Sequence, residues 1–370
     1  MLFINNPLYR KALNASAQAL LGAFIFFFAI TPTFANTPFV DTEITIRVGR
    51  DSISGTFLPA EEPDGSVLVI LVSSVKGNDR NISNKSKIAI NFKALAEGLS
   101  KCGISSFRFD NRGIGKSSGE NESATLYTHA DDLKSVYNYF KHNKRFKNFK
   151  IGIIGHSEGG ASSEVLAAKT DDISFLILLS AQGNSGWQFF DYQLRRYYEI
   201  LGNNLNEHSL ADSLYKQNAA LQKRLFDILA TDENYVVIRK NLREFINKRI
   251  AQESNSSIEL EKLYQEWQSA QQIALRKFNP SLYLFRIKCP VLALNGDRDD
   301  SVDGLENLKK IEKELESTNK STVDIQLLPN VNHYYRTLRN EKVWNLNDKN
   351  ELFSSNALDK ICQWVRSLYP

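Results

Sequence analysis

The chain has 370 residues, 42% hydrophobic and 24% charged, with 46 Lys and Arg against 42 Asp and Glu and a net charge of +4. These are the proportions of an ordinary globular protein, and they exclude a disordered tail, a collagen-like fibre and a multi-span membrane protein. The small basic surplus gives no reason to expect nucleic acid as a partner, and three cysteines, Cys102, Cys289 and Cys362, are too few for a disulfide framework or a cysteine-based zinc site.

The amino terminus departs from this average. Residues 1–35 hold Arg10 and Lys11, no acidic residue, the apolar run from Ala19 to Ile30 and then Thr31-Pro-Thr-Phe-Ala35. That order predicts a secretory signal peptide cleaved after Ala35. A spanning helix needs about 20 apolar residues; the rival reading, an uncleaved anchor starting near Ala12, is interrupted by Asn14, Ser16 and Gln18. The expected product is periplasmic or secreted, with no stable membrane span. Each cysteine has apolar flanks, which predicts buried free thiols, with a Cys289–Cys362 bridge as the alternative.

Along the mature chain, β-rich runs alternate with helical patterns, which predicts an α/β fold with a mostly parallel sheet between helices. Glu43–Val48 and Ser52–Leu58 alternate and read as a solvent-facing antiparallel hairpin. Val67–Val72, Ile104–Phe109, Ile151–Ile154, Phe175–Leu179, Val291–Leu294 and Val323–Leu328 lack polar alternation, as strands buried on both faces do. Helices are expected over about 86–101, 125–142, 158–169, 304–317 and 355–368. The stretch 187–277 carries no strand-like run but three helical patterns, following Ser209, Thr231 and Ser257 as caps. It reads as a helical lid inserted into a core of 36–186 and 278–370.

The strongest chemical signal is Gly155-His156-Ser157-Glu158-Gly159-Gly160, directly after a strand and directly before a helix. A nucleophile on such a turn needs small neighbours two residues to either side, because the chain there is strained and approaches itself closely. A serine needs a base and an orienting acid, which follow in the order Ser, Asp, His in this topology. His333 is the only histidine beyond position 208, so it is the expected base. Asp297, Asp299, Asp300 and Asp303 all follow the strand Val291–Leu294 and compete as the acid. Gly113-Ile-Gly-Lys-Ser117 imitates the end of a phosphate-binding loop, but Asp110 stands where its first glycine is required. His156 is discounted because neighbours on a tight turn point apart, and His129, His142 and His208 read as surface or structural.

Four blocks carry a resemblance: Phe109-Asp-Asn-Arg-Gly-Ile-Gly-Lys-Ser-Ser-Gly119, Ile151–Gly160, Cys289–Asp299 and Leu328-Pro-Asn-Val-Asn-His333. Through them the mature chain, from about Glu43 to Val365, resembles the EstD-like esterases of the α/β-hydrolase superfamily. The resemblance implies an α/β-hydrolase fold and a triad of Ser157, Asp299 and His333, the acid standing three residues after the glycine that ends its strand. It implies an oxyanion hole from the amides of Val75 and Glu158, with Ser73-Ser74-Val75-Lys76-Gly77 replacing the family's Ser-Gly-Ser-Gly-Pro run. No metal or organic cofactor is implied. The expected activity is hydrolysis of small or medium acyl esters through an acyl-enzyme on Ser157; a peptidase, a thioesterase or a non-catalytic exported binding protein are the alternatives. Trp187, Phe189, Phe190, Tyr192, Tyr197, Tyr198 and Trp267 could supply an apolar acyl pocket or bind lid to core.

Overall fold

Continuous runs of branched and aromatic residues have no polar face to offer solvent, so they are stable only in the middle of a sheet covered on both sides. In the computed structural model, β3 (Val67–Val72), β4 (Ser105–Phe109), β5 (Lys150–His156), β6 (Phe175–Leu179), β7 (Val291–Gly296) and β8 (Val323–Leu328) pair in parallel, and β1 (Thr42–Val48) and β2 (Asp51–Leu58) add an antiparallel edge. The sheet order is β1-β2-β4-β3-β5-β6-β7-β8. The structure describes residues 41–61, 66–74, 79–82, 89–231, 234–252, 257–317, 321–338 and 352–369. The leader 1–35 and Val75 lie outside the described residues.

Alternation along β3 divides the core. Leu68, Ile70 and Val72 point to one face, beneath α2 (Leu126–His142), α3 (Glu158–Ala167) and α10 (Gly304–Glu316). Val67, Val69 and Leu71 point to the other, beneath α1 (Phe92–Lys101) and α11 (Ser355–Leu368). Each fully buried Leu or Ile contributes about 2 kcal/mol through removal from water. Thr125 caps α2, with its hydroxyl accepting from the Thr128 amide, and Ser354 caps α11.

The edge hairpin differs from the sequence expectation. β1 alternates as predicted, but β2 is buried from Ile53 to Leu58. Its polar residues turn inward onto a charged network. Thr56 Oγ1 accepts from Arg80 Nε at 2.8 Å, Arg80 also pairs with Asp110, and the Ser54 amide donates to Ser117 Oγ at 2.9 Å. Alternation therefore marked two faces correctly without showing that both are covered.

The thiols are also corrected. Cys102, the residue that ends α1, is bonded to Cys362 on α11, with Cα atoms 6.0 Å apart, and only Cys289 is free and buried. α1 and α11 pack together on one face of the sheet, whereas Cys289 belongs to the cluster on the opposite face, so a Cys289–Cys362 bridge is excluded by geometry. The bond closes a loop spanning 260 positions. Replacing both cysteines by serine is expected to lower stability by about 2–5 kcal/mol. Urea unfolding of the double variant checks this; a loss below about 1 kcal/mol contradicts it.

Between β6 and β7 the chain forms five helices: α4 (Gly186–Leu205), α5 (His208–Leu229), α6 (Tyr235–Gln252), α7 (Ser257–Trp267) and α8 (Ala270–Lys277), followed by the short α9 (Ser281–Leu284). The sequence reading gave three patterns and missed α4. Ser209 lies inside α5 rather than before it. Thr231 closes α5, its hydroxyl donating to the Ile228 carbonyl at 2.9 Å, and Asn234 accepts the first amides of α6. The third pattern is two helices, because Ser269 starts α8 by accepting from the Gln272 amide. These helices share their own apolar cluster, with Phe226 against Trp187 and Trp267 at 5.1 and 5.2 Å and the Arg276 guanidinium over the rings of Phe190 and Trp267. Among the described residues no helix is long and apolar enough to cross a membrane.

Candidate active site

The carboxyl ends of β3, β5, β6, β7 and β8 converge at one rim of the sheet, where open α/β sheets place their ligands. At the end of β5 the chain reverses directly into α3, and Ser157 at the turn takes φ 53° and ψ −122°, a strained conformation for a residue with a side chain. Two glycines make the turn possible. A Cβ on Gly155 would stand 2.6 Å from Ser163 Oγ and 2.7 Å from the Gly159 carbonyl, and a Cβ on Gly159 would stand 2.3 Å from the Val72 carbonyl. All ten residues of α3 are buried, so the turn is fixed from behind. Glu158 opens the helix, where the amide has no intrahelical acceptor.

The structure brings Ser157, His333 and Asp299 together. His333 Nε2 lies 3.2 Å from Ser157 Oγ, and His333 Nδ1 lies 3.0 and 2.9 Å from the two Asp299 oxygens. With the proton on Nδ1 donated to Asp299, Nε2 is left to accept from the serine hydroxyl. Asp299 is held in turn: the amides of Ser301 and Val302 donate to Oδ1 at 2.8 and 2.9 Å. The competing carboxylates have other work. Asp297 accepts from the Asn330 amide at 2.6 Å and shapes the loop that carries His333, while Asp303 caps α10. Asp300 is half-buried beside the pair without a contact to the imidazole nitrogens.

Burial pushes the Asp299 carboxyl up, but His333 facing it, with hydrogen bonds from His333, Ser180 and the Ser301 amide, holds it below its usual 3.8. Burial pulls His333 down, yet the Asp299 carboxylate, assisted by Asp300, outweighs that and raises it above 6.5. A general base acts only when neutral, so raising its pKa moves the acid limb of activity upward. For a neutral ester, kcat/KM is expected to fall on the acid side with a midpoint above 6.5. A pH–rate profile checks this, and a midpoint below 6.5 contradicts it.

Several residues support the site in ways the sequence did not show. His156, set aside as a base because neighbours on the turn point apart, is the clearest. Burial, with His333 close by, pushes it down to about 3, so it is neutral, and its Nε2–H donates to the His333 backbone carbonyl at 2.8 Å. The neighbour of the serine thus anchors the loop of the base. Below the acid, Asn307 Nδ2 donates to Asn295 Oδ1 at 3.0 Å, and Asn295 Nδ2 reaches Ser180 Oγ at 3.2 Å, joining β6, β7 and α10. Asn295 was legible in the Leu-Asn-Gly-Asp block, but its role depends on contacts remote in sequence. On the other side, Asn111 Nδ2 donates to the Ser74 carbonyl at 2.6 Å and to Ser73 Oγ at 3.1 Å, tying down the segment that leads to Val75.

A cavity of about 420 Å³ opens over Ser157, walled on the sheet side by Ser74, Glu158, Ser180 and Gln182 and on the helical side by α4, α7 and α8. The expected apolar acyl pocket is not what the aromatics build. Only Phe189 and Phe190 of that set line it. Trp187 and Trp267 pack on Phe226, Tyr197 and Tyr198 pack near Leu194 and Ala211, and the Tyr192 hydroxyl donates to the Asp299 carbonyl at 3.1 Å. Gln271 on α8 donates from Nε2 to the Glu158 carboxylate at 3.1 and 3.3 Å, joining the helical layer to the nucleophile turn.

The family model for serine aminopeptidases, S33, matches residues 87–248, from α1 through the Ser157 turn into α6. Among solved structures, Est1E of Butyrivibrio proteoclasticus with ferulic acid bound is 16% identical, covering 88% of this chain and 98% of its own, with a TM-score of 0.52. The chain has the α/β-hydrolase fold. An esterase of Pyrococcus furiosus matches this chain at 15% identity, 89% and 90% coverage and a TM-score of 0.52. Proline iminopeptidase of Mycobacterium smegmatis matches at 12% identity, 88% and 98% coverage and a TM-score of 0.55. No curated protein matches the chain.

Proposed function

We propose that this α/β-hydrolase is an exported serine esterase that cleaves small carboxylic esters through an acyl-enzyme on Ser157. The observation that carries the reading is the continuous hydrogen-bonded line from Ser157 Oγ through His333 to Asp299, with Ser157 at the floor of the cavity. His333 Nε2 takes the serine proton as Oγ attacks the ester carbonyl, Asp299 stabilises the imidazolium, and the same base then activates water against the acyl-enzyme. The amides of Glu158 and Val75 are the proposed oxyanion donors, each worth about 3 kcal/mol of transition-state stabilisation. The EstD-like family rests on the sequence blocks, and the likeness to solved structures supports the fold.

Export is supported by the leader and by the Cys102–Cys362 bond, which suits an oxidising compartment. The peptidase reading has one specific observation in its favour, the match to the serine aminopeptidase model over the nucleophile block. Short-chain nitrophenyl esters assayed beside aminoacyl anilides separate the two. Faster turnover of the esters is expected, and faster turnover of the anilides overturns the esterase reading.

A further inference from the structure

The wall of the cavity combines an apolar part, from Phe189, Phe190 and Leu275, with a polar part rich in amides. Four glutamines line it: Gln182 after β6, Gln193 on α4, Gln265 on α7 and Gln272 on α8. Gln265 spends both halves of its amide on Glu261 and Gln268, and each of the others commits one half to the protein. Gln182 Nε2 donates to the Asn184 carbonyl at 3.1 Å, Gln193 Nε2 donates to the Ser301 carbonyl at 3.2 Å, and Gln272 Oε1 accepts from Arg276. Among the described residues no hydrogen bond uses the other halves, which are two acceptors and one donor. An alkyl chain here would strip water from these atoms and give nothing back, at a cost of about 1–3 kcal/mol per group.

Charge narrows the class further. Among the described residues, the charged side chains that line the cavity are Glu158 and Glu266. Arg276 is buried behind the wall, pairs with Glu266 at 2.8 Å and lies over the Phe190 ring. An anionic ligand would meet these two carboxylates, whereas neutral hydroxyls can donate to Gln182 and Gln193 and accept from Gln272. Phe189 and Phe190 add an apolar surface of the kind that the C–H face of a sugar ring covers.

We infer that the substrate is an ester of a neutral polyhydroxylated alcohol, such as an acetylated monosaccharide, with the polyol held against this amide wall. The inference rests on the esterase reading. Ser157 Oγ bonds to the acyl carbon, the acyl–oxygen bond to the sugar breaks, and the sugar oxygen leaves with the proton from His333. Water then releases the carboxylic acid and restores the serine.

The test compares a monoacetylated methyl xyloside with cyclohexyl acetate, which has the same acyl group and ring size but no hydroxyls, by acetate release from enzyme whose Ser157 has been counted with a fluorophosphonate. The kcat/KM ratio is expected to favour the sugar ester by at least about thirtyfold. Gln193→Leu and Gln272→Leu should each lower that ratio about tenfold. A ratio within about threefold of unity in labelled enzyme overturns the inference and leaves the esterase reading standing, as does preference for cyclohexyl alaninate, which would point to a cationic substrate. Properly folded enzyme that takes no label removes the esterase reading, and this inference with it.

Discussion

Ser157→Ala is expected to lower kcat for nitrophenyl acetate by about 10⁵–10⁶ while the folded protein keeps its spectrum and melting behaviour. The magnitude follows from the geometry. Oγ is the nucleophilic atom held within reach of His333 Nε2, at 3.2 Å. Alanine at φ 53° retains the backbone strain of the serine, so the variant reports chemistry rather than a relaxed fold. Because the three residues act as a unit, adding His333→Ala should cost little more. A single variant that keeps above about 1% of activity would contradict the assignment of Ser157.

Asp299→Asn is expected to cost about 10⁴ in kcat, with Asp297→Asn within about tenfold of wild type. An asparagine at 299 can present an N–H to His333 Nδ1 and stabilise the tautomer whose Nε2 cannot accept the serine proton. It also removes the charge that holds the imidazole above 6.5. Asp297 faces the Asn330 amide instead, so its loss loosens the loop of the base without touching the base itself. Steady-state kinetics on both variants decide between them; an Asp297→Asn loss equal to that of Asp299→Asn would mean that the acid had been assigned to the wrong carboxylate.

What the sequence made legible was local. The runs Val67–Val72 and Phe175–Leu179 announce buried strands without reference to anything else, and Gly155, Ser157 and Gly159 announce a tight turn by spacing alone. His333 follows by elimination. The acid did not: four aspartates within seven residues differ only in what they meet in space, namely the Asn330 amide, the His333 ring or the first turn of α10. The disulfide was hidden for a similar reason, since it requires knowing that α1 and α11 share one face of the sheet while Cys289 lies on the other. Ser54 and Thr56 look solvent-facing because alternation cannot reveal that Arg80 and Ser117 cover them. In α4, the residues Trp187, Phe190, Leu194, Tyr198 and Leu201 already have helical spacing; their aromatic character drew attention to a pocket, while most of them hold the helical layer to itself.

The cavity carries the largest revision of expectation. Aromatic content in 187–277 suggested an acyl slot, but side chains at helical spacing first satisfy the helices' own core, and the cavity side keeps Phe189, Phe190 and Leu275 among glutamine, serine and glutamate. In the proposed reading the polyol rests against a layer that also touches the Asp299 loop through Tyr192 and Gln193.

The central claim is that Ser157 is a nucleophile activated by His333. The most direct measurement is reaction of the folded protein with a fluorophosphonate, followed by peptide mapping in a mass spectrometer. The account predicts one adduct per chain, on the peptide containing Gly155–Gly160, formed faster as pH rises through the His333 transition. No adduct, or an adduct that persists in Ser157→Ala, would contradict it.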